Sequence, residues 1–336
     1  MSRSIAVLKP LCQWQALYLL LIFVPAGFTA GSSLGLSSER YAAVKPELAK
    51  PPGRMVHIGT HRLHIWCLGE GRPSIVLDSG VGGFSLEWTK IETDLAPEFQ
   101  VCSYDRAGYG WSDPGPVPRT TARIVEELHT LLSCAAVPGP YVLVGHSFGG
   151  YNMLRFAKQY PRESAGLVLV DSSHPQQFRY FPSASKQLRG AYSSRGASRL
   201  FSRALLPENY PFRVRPLALH LMRTIKAVRA HRFELLEIEH SAQDVERIPA
   251  MPDIPLIVVT RGQRVWPQDQ DGERKEQAWR ELQGQLASLT PRSQQVVAAY
   301  SGHYVHLDQP HLIEDAIRSV ASLASCARSG RCEHSP

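Results

Sequence analysis

Short apolar runs that favour β-strands alternate along the chain with longer segments whose apolar residues recur at helical spacing. Residues 56–61 and 62–68 predict a hairpin, and further strands are predicted at 74–77, 101–104, 142–145, 167–170, 255–260 and 295–300. Helices are predicted between them, at 84–95, 121–134, 151–160, 272–286 and 310–324. This alternation predicts an α/β protein with a mostly parallel central sheet flanked by helices.

The alternation stops over residues 175–250, which have a helical pattern, are rich in arginine and contain several prolines. Residues 175–232 carry twelve lysines and arginines against one acid, Glu208, a local net charge of +11. Since the whole chain has a net charge of +7, the residues outside this segment have a net charge of −4. The insertion is therefore predicted to be a separate basic helical segment. Its charge indicates either a solvated face or contact with an anionic substrate or lipid.

The first thirty-one residues differ from the rest of the chain. Arg3 and Lys9 precede a stretch without charged residues, 11–30, and a linker over 32–54 follows. This pattern predicts an export signal or a single membrane anchor, with the folded domain outside the cytoplasm. A buried N-terminal helix is the alternative, and cleavage stays open. The domain itself is expected over 55–174 and 251–325, with a C-terminal tail at 326–336.

Six cysteines are compatible with an oxidising compartment. Cys326 and Cys332 have the spacing of a small terminal disulfide. Cys67 and Cys102, in predicted strands, and Cys134, in a predicted helix, are expected to be buried free thiols. No spacing of cysteines and histidines resembles a zinc site, and we expect neither a metal nor an organic cofactor.

The run Gly145-His146-Ser147-Phe148-Gly149 separates a predicted strand from a predicted helix. A serine on such a turn projects its hydroxyl into open space, and the flanking glycines let the two backbones pass closely. The free N–H groups that begin the helix face any oxygen that becomes negative nearby. Ser147 is therefore the predicted nucleophile, with a glycine-rich structural turn as the alternative.

A serine nucleophile needs a histidine to accept its proton. His303 directly follows the last predicted strand, and Gly302 gives it the freer backbone of a residue at a strand end. His306 is the competing histidine. Both lie in the segment Ser301–Pro310.

The histidine in turn needs an acid that orients it and stabilises its charged form. Asp171 closes the strand at 167–170 and is predicted to lie on the same carboxyl edge of the sheet as Ser147. Its alternative role is to cap nearby backbone. Asp269 and Asp271, in the loop after the strand at 255–260, are the rival acids.

These motifs resemble the α/β-hydrolase superfamily over roughly residues 55–325, and the resemblance implies an α/β-hydrolase fold with a helical cap at 175–250. Residues 104–112, Tyr-Asp-Arg-Ala-Gly-Tyr-Gly-Trp-Ser, resemble the family's turn after its fourth strand. Residues 77–83, followed by Trp88, stand in the place of its oxyanion loop. The resemblance implies that Val81 and Phe148 donate backbone N–H groups to the oxyanion.

The sequence departs from the family pattern at two positions. Ser79 replaces the usual histidine of the oxyanion loop. The common acid after the penultimate core strand is missing from Arg261-Gly262-Gln263. Some members, such as haloalkane dehalogenases, carry the acid at the end of the sixth strand, where Asp171 stands, and this departure favours Asp171.

Together these residues predict a serine hydrolase that cleaves a small-molecule ester, or an amide or thioester, through an acyl-enzyme on Ser147. A serine at this position argues against dehalogenase and epoxide hydrolase chemistry, which use a carboxylate nucleophile. The alternatives are an acyltransferase with the same residues and a non-catalytic binding module. No nucleic acid partner is expected. Membrane association is a hypothesis that the N-terminal segment and the basic insertion suggest.

Overall fold

The computed structural model describes residues 50–181, 206–248 and 251–329. Eight strands form one sheet in the order β1-β2-β4-β3-β5-β6-β7-β8. The strands are β1 (Arg54–His57), β2 (Arg62–Leu68), β3 (Ser74–Asp78), β4 (Val101–Tyr104), β5 (Tyr141–His146), β6 (Ser164–Val170), β7 (Leu256–Arg261) and β8 (Ser293–Ala298). Strand β2 pairs antiparallel with β1 and β4, and all other pairs are parallel. The predicted mostly parallel sheet is confirmed.

Helices cover the sheet where the sequence pattern predicts them. They are α1 (Thr89–Leu95), α2 (Thr121–Cys134), α3 (Phe148–Gln159), α4 (Arg215–Met222), α5 (Ile225–Leu236), α6 (Ile238–Arg247), α7 (Gln270–Leu286), α8 (Val305–Asp308) and α9 (Pro310–Ser329). A 3-10 turn at Ser85–Trp88 precedes α1, so the predicted helix 84–95 is two elements. Helix α3 begins three residues before its predicted start, directly after Ser147.

The central strands are buried on both faces, which explains why the sequence shows continuous apolar runs there. Successive residues of β5 enter opposite cores: Leu143 packs with helices α2 and α3, whereas Val142 and Val144 pack with α1 and α9. The sheet therefore separates two apolar layers. The carboxyl ends of its parallel strands are fixed at one edge by this packing.

Helices α4, α5 and α6 lie between β6 and β7 and pack directly on the sheet domain. Phe84 and Tyr109 share an apolar cluster with Ala218 of α4 and Ala230 of α5. Glu234 of α5 forms a buried ion pair with Arg106, whose Nε lies 2.8 Å from Glu234 Oε1. These described helices occupy the place in the chain where the sequence predicts the insertion.

Two of the cysteine predictions are wrong. Cys67 and Cys102 form a disulfide because they face each other in the antiparallel pairing of β2 with β4. Cys134 is a free thiol, as expected, but it is exposed at the end of α2. Cys332 lies outside the described residues, so its pairing with Cys326 stays a prediction.

The N-terminal apolar segment, residues 11–30, also lies outside the described residues. Within the ranges that the structure describes, no helix has both the length and the apolar character that a membrane crossing requires.

Candidate active site

Ser147 lies in a tight turn between β5 and α3. Its φ of 51° is in the left-handed region, which is strained for a residue with a Cβ atom. The turn is held from both sides, because the Ser147 N–H donates to the Val170 carbonyl and its own carbonyl accepts from Ser173 N–H. A Cβ at Gly149 would lie 2.5 Å from the Asp78 carbonyl oxygen, which explains the glycine. Ser147 itself is half-buried.

His303 and Asp171 meet at the same edge of the sheet. The Nδ1 of His303 lies 2.6 Å from Oδ2 of Asp171. Because an ionised carboxylate only accepts hydrogen bonds, Nδ1 carries the proton and Nε2 of His303 is left as a base. Asp171 directly follows β6, and its backbone N–H donates to the Val259 carbonyl at 2.7 Å. The structure thus brings together two of the three predicted catalytic residues through a direct hydrogen bond.

The surroundings of Asp171 favour its charged form. Burial alone would raise the pKa of Asp171, but the Arg261 guanidinium and the hydrogen bonds from His303 and Trp279 outweigh burial and lower the pKa to about 2. A guanidinium nitrogen of Arg261 lies 3.2 Å from Oδ2, and Trp279 Nε1 lies 2.8 Å from Oδ1. In the sequence, Arg261 stands only where the family's common acid is missing. In the structure, Arg261 is the cation that stabilises the ionised carboxylate of Asp171 after β6.

The rival acids are engaged elsewhere. Asp269 caps helix α7, where its Oδ1 accepts a hydrogen bond of 2.7 Å from Gly272 N–H. Asp271 lies on the first turn of the same helix and pairs with Arg274 and Lys275 at the surface. The structure brings neither carboxylate to His303.

The rival histidine, His306, lies in a separate buried group with Glu87 and His146. His306 Nε2 is 3.6 Å from Glu87 Oε1, and the rings of His146 and His306 are 4.4 Å apart. Burial raises the pKa of Glu87, lowers the pKa of His146 well below its usual value, and lowers the pKa of His306 to about 3. One ligand atom from each of the three residues lies within 4.8 Å of the others, so this group is where a metal ion would be held.

The loop after β3 passes directly over Ser147. A Cβ at Gly80 would lie 3.2 Å from Cβ of Ser147. The buried Arg106 guanidinium donates to the carbonyl of Ser79 at 2.7 Å and to that of Gly80 at 2.8 Å. Because the C=O and N–H of a trans peptide point in opposite directions, the Val81 N–H points away from Arg106. Arg106 lies within the predicted turn at 104–112, but the sequence does not indicate its contacts with the loop after β3.

Phe148 supplies the first N–H of helix α3. The first N–H groups of an α-helix have no intrahelical acceptor, so this donor is available beside Ser147. The Phe148 ring is fully buried and lies against the Arg106 guanidinium, 5.5 Å from ring centroid to Cζ. One arginine therefore contacts both segments that carry the predicted oxyanion donors.

The sequence model of the alpha/beta hydrolase family matches residues 75–316. The chain belongs to the alpha/beta hydrolase family. The match runs from the second residue of β3 through β8 and includes all the predicted catalytic residues.

Curated proteins are similar to this chain at low identity. The uncharacterized protein YqjL of Bacillus subtilis is 27% identical over 253 residues, which are 75% of this chain and 85% of that protein. Other curated relatives align over less than half of their own length.

Solved structures share the fold at low identity. An esterase from Thermogutta terrifontis is 24% identical with a TM-score of 0.60, and the alignment covers 79% of this chain and 96% of that one. The epoxide hydrolase CorEH is 16% identical with a TM-score of 0.59, covering 80% of this chain and 96% of that one. Since one fold holds both chemistries, the choice between them must be argued from residues.

Proposed function

We propose that this protein is a serine hydrolase that cleaves a small-molecule ester through an acyl-enzyme on Ser147. The observation that carries the proposal is the 2.6 Å hydrogen bond between His303 and Asp171 at the sheet edge where Ser147 stands in its strained turn. A histidine oriented by a buried carboxylate is the base that a serine nucleophile requires. A serine rather than a carboxylate at position 147 favours ester over epoxide chemistry.

In the proposed mechanism, His303 Nε2 accepts the Ser147 proton as the serine oxygen attacks the ester carbonyl. Asp171 stays ionised because Arg261 and Trp279 hold its charge, and it stabilises the imidazolium that forms. The imidazolium then protonates the leaving alcohol. Water, activated by the same histidine, releases the acid and restores Ser147.

We further propose Val81 and Phe148 as the donors to the oxyanion. The Arg106 clamp turns the carbonyls of Ser79 and Gly80 away and so fixes the Val81 N–H, while Phe148 N–H is free at the helix start. Removing one such donor costs roughly 3 kcal/mol of transition-state stabilisation in other hydrolases. The low barrier therefore depends on a buried arginine that never touches substrate.

The described helices of the insertion are proposed to cover the substrate pocket. Helix α5 approaches the oxyanion loop closely, since a Cβ at Gly82 would lie 2.8 Å from His231 Nδ1. Several basic residues there are engaged locally: Arg179 pairs with Glu246, Arg215 donates to the Pro207 carbonyl, and Lys226 donates to the Ser112 carbonyl. Attraction of anionic substrates stays a hypothesis. It fails if anionic and neutral esters show the same salt dependence.

Export is proposed on two grounds that are independent of the site. The apolar segment at 11–30 has the form of a signal or anchor. The Cys67–Cys102 disulfide lies within the hydrolase domain, and disulfides persist in oxidising compartments. Thiol alkylation in intact cells with a membrane-impermeant reagent tests this: the exposed Cys134 should react if the domain is outside the cytoplasm, and protection of Cys134 until lysis would contradict it.

A panel of short p-nitrophenyl esters, with detection of the released acid, tests the function. The wild type should turn over at least one ester, and Ser147→Ala should abolish turnover. Ser133→Ala is the matched control, because Ser133 is exposed on α2, outside the turn that carries Ser147. Equal turnover by Ser147→Ala and wild type would contradict the proposal. An added alcohol that diverts product to a new ester would favour acyl transfer instead.

A further inference from the structure

Three buried side chains from distant parts of the chain meet next to the nucleophile. Glu87 lies in the 3-10 turn before α1, His146 ends β5, and His306 lies in α8. Their exposed fractions are 5%, 1% and 2%. One oxygen or nitrogen atom from each lies within 4.8 Å of the other two.

The hydrogen bonding of His146 fixes which of its nitrogens faces this group. Its Nε2 lies 2.9 Å from the backbone carbonyl of His303. A carbonyl only accepts, so Nε2 carries the proton and Nδ1 presents a lone pair. This Nδ1 is buried and has no hydrogen-bond partner among the described residues. Metal-bound histidines show the same arrangement, in which one nitrogen binds the ion and the other donates to a carbonyl or carboxylate.

The other two residues each contribute one buried polar atom to the same group. Glu87 Oε1 and His306 Nε2 are also buried without a hydrogen-bond partner in the described part of the chain. Their separation of 3.6 Å is too long for a hydrogen bond. No hydrogen bond joins these atoms within the described residues, and one cation would bind all three and balance the carboxylate.

We infer that Glu87, His146 and His306 bind a divalent transition-metal ion, for which Zn²⁺ is the natural probe. Two imidazoles and one carboxylate are a ligand set that suits zinc and leaves one position open. With bonds of about 2.0–2.2 Å, the ligand atoms of a tetrahedral ion lie roughly 3.3–3.6 Å apart. The separation of 3.6 Å between His306 Nε2 and Glu87 Oε1 already matches this spacing.

The surroundings hold the ligands in place. Trp88 stacks on His306 with ring centroids 4.5 Å apart, and its Nε1–H donates to the Ser79 hydroxyl at 3.0 Å. The Ser79 hydroxyl in turn hydrogen-bonds to Glu87. Ser79 is the position at which the family resemblance leads one to expect histidine, and here it supports the carboxylate.

The spacing of these residues in the sequence does not indicate a metal site. Its ligands are 59 and 160 residues apart, from 87 to 146 and from 146 to 306, and only the fold brings them together. An ion there would fix His146 and, through the bond from Nε2, the carbonyl of His303. The inference does not depend on the proposed hydrolase activity.

Metal binding to the full-length chain, purified without a histidine tag and stripped with a chelator, tests the inference. Titration with Zn²⁺ in competition with a chromogenic chelator should show about one tight site per chain, and Co²⁺ should give the visible absorption bands of a tetrahedral ion. Glu87→Gln and His306→Gln should each weaken binding by about tenfold or more. The control His129→Gln, a histidine paired with Glu163 elsewhere, should bind as the wild type does.

Each result of these titrations either supports or overturns the proposed metal site. Failure of the wild type to bind either ion overturns the inference, whatever the esterase result. Equal affinity in wild type, Glu87→Gln and His306→Gln also overturns it, because the ion would then sit elsewhere. If a variant does not fold, the wild-type cobalt spectrum decides: bands without histidine nitrogen ligation, measured by X-ray absorption, contradict the assignment.

Discussion

Two carboxylate–histidine groups lie at the same edge of the sheet, and they differ in what surrounds the carboxylate. Asp171 has the Arg261 guanidinium and the Trp279 N–H beside it, and its pKa falls to about 2. Glu87 has no lysine or arginine in ion-pair contact among the described residues, and burial raises its pKa. Two buried carboxylates thus acquire different pKa values, because the neighbouring cation decides whether a buried carboxylate stays charged.

This difference separates the roles that we assign to the two groups. Asp171 can stabilise a positively charged histidine during turnover without taking its proton. Glu87 and its two neutral histidines instead present lone pairs to one point, which suits a cation. Substitutions in the two groups test these roles.

The largest effect is expected from Asp171→Asn. Because asparagine cannot hold His303 in the proton-accepting tautomer, kcat should fall by about 10³- to 10⁴-fold. Asp269→Asn, which loses only a helix cap, is the control and should keep kcat near the wild-type value. Steady-state kinetics on the best ester measure both. A larger loss in Asp269→Asn would reverse the assignment of the acid.

Arg261→Gln removes the cation beside Asp171, so that Asp171, like Glu87, becomes a buried carboxylate without a lysine or arginine partner in the described part of the chain. Arg261 also pairs with Glu276 at 3.0 Å, so the change leaves two buried carboxylates without their partner. The free energy of unfolding should fall by about 3–5 kcal/mol. Urea unfolding measures this, with Arg264→Gln as the control because Arg264 forms an exposed pair in the same loop. Equal stability of the two variants would show that Arg261 does not compensate Asp171.

The acid dependence of stability should distinguish wild type from Asp171→Asn. The pKa of Asp171 is lowered from 3.8 to about 2, so its contribution is present above 3.8 and is lost as the pH falls through 2. The titratable groups that face it are Arg261 and His303, with Glu276 beyond the arginine. Between pH 5 and pH 2 the wild type should lose on the order of 2 kcal/mol more than Asp171→Asn. Parallel urea-unfolding curves would contradict the lowered pKa.

The smallest effect is expected from Glu87→Gln on catalysis. Its group contacts His303 through His146, whose Nε2 donates to the His303 carbonyl and whose ring lies 4.7 Å from the His303 ring. We therefore expect kcat to fall by about tenfold, with KM little changed. Steady-state kinetics beside Asp171→Asn measure the ratio. A loss of kcat as large as that of Asp171→Asn would mean that Glu87 takes part in the chemistry. The two carboxylates would then not have the separate roles assigned to them.

The fold and part of the site were predictable because their signals are local. The alternation of strand and helix patterns predicted the sheet and most helices, and Ser147, His303 and Asp171 each stand directly after a predicted strand. The family resemblance favoured Asp171 over its rival Asp269. The contact between His303 and Asp171, which joins positions 132 residues apart, supports that preference, and no sequence pattern reveals it.

What the sequence did not reveal depends on strand order. The sequence cannot show that β4 lies between β2 and β3, and this order brings Cys67 opposite Cys102. Arg261 and Arg106 are single arginines whose partners come from other elements, so no spacing pattern marks them. The group around Glu87 was missed for the same reason.

The most direct test of the central claim is to locate the adduct of a fluorophosphonate by mass spectrometry of the intact and digested protein. If Ser147 is the nucleophile, the wild type should carry one adduct per chain, on Ser147, whereas Ser147→Ala should carry none and Asp171→Asn should label slowly. Persistent labelling of Ser147→Ala, or an adduct on another residue in the wild type, would contradict the assignment of Ser147 as the nucleophile.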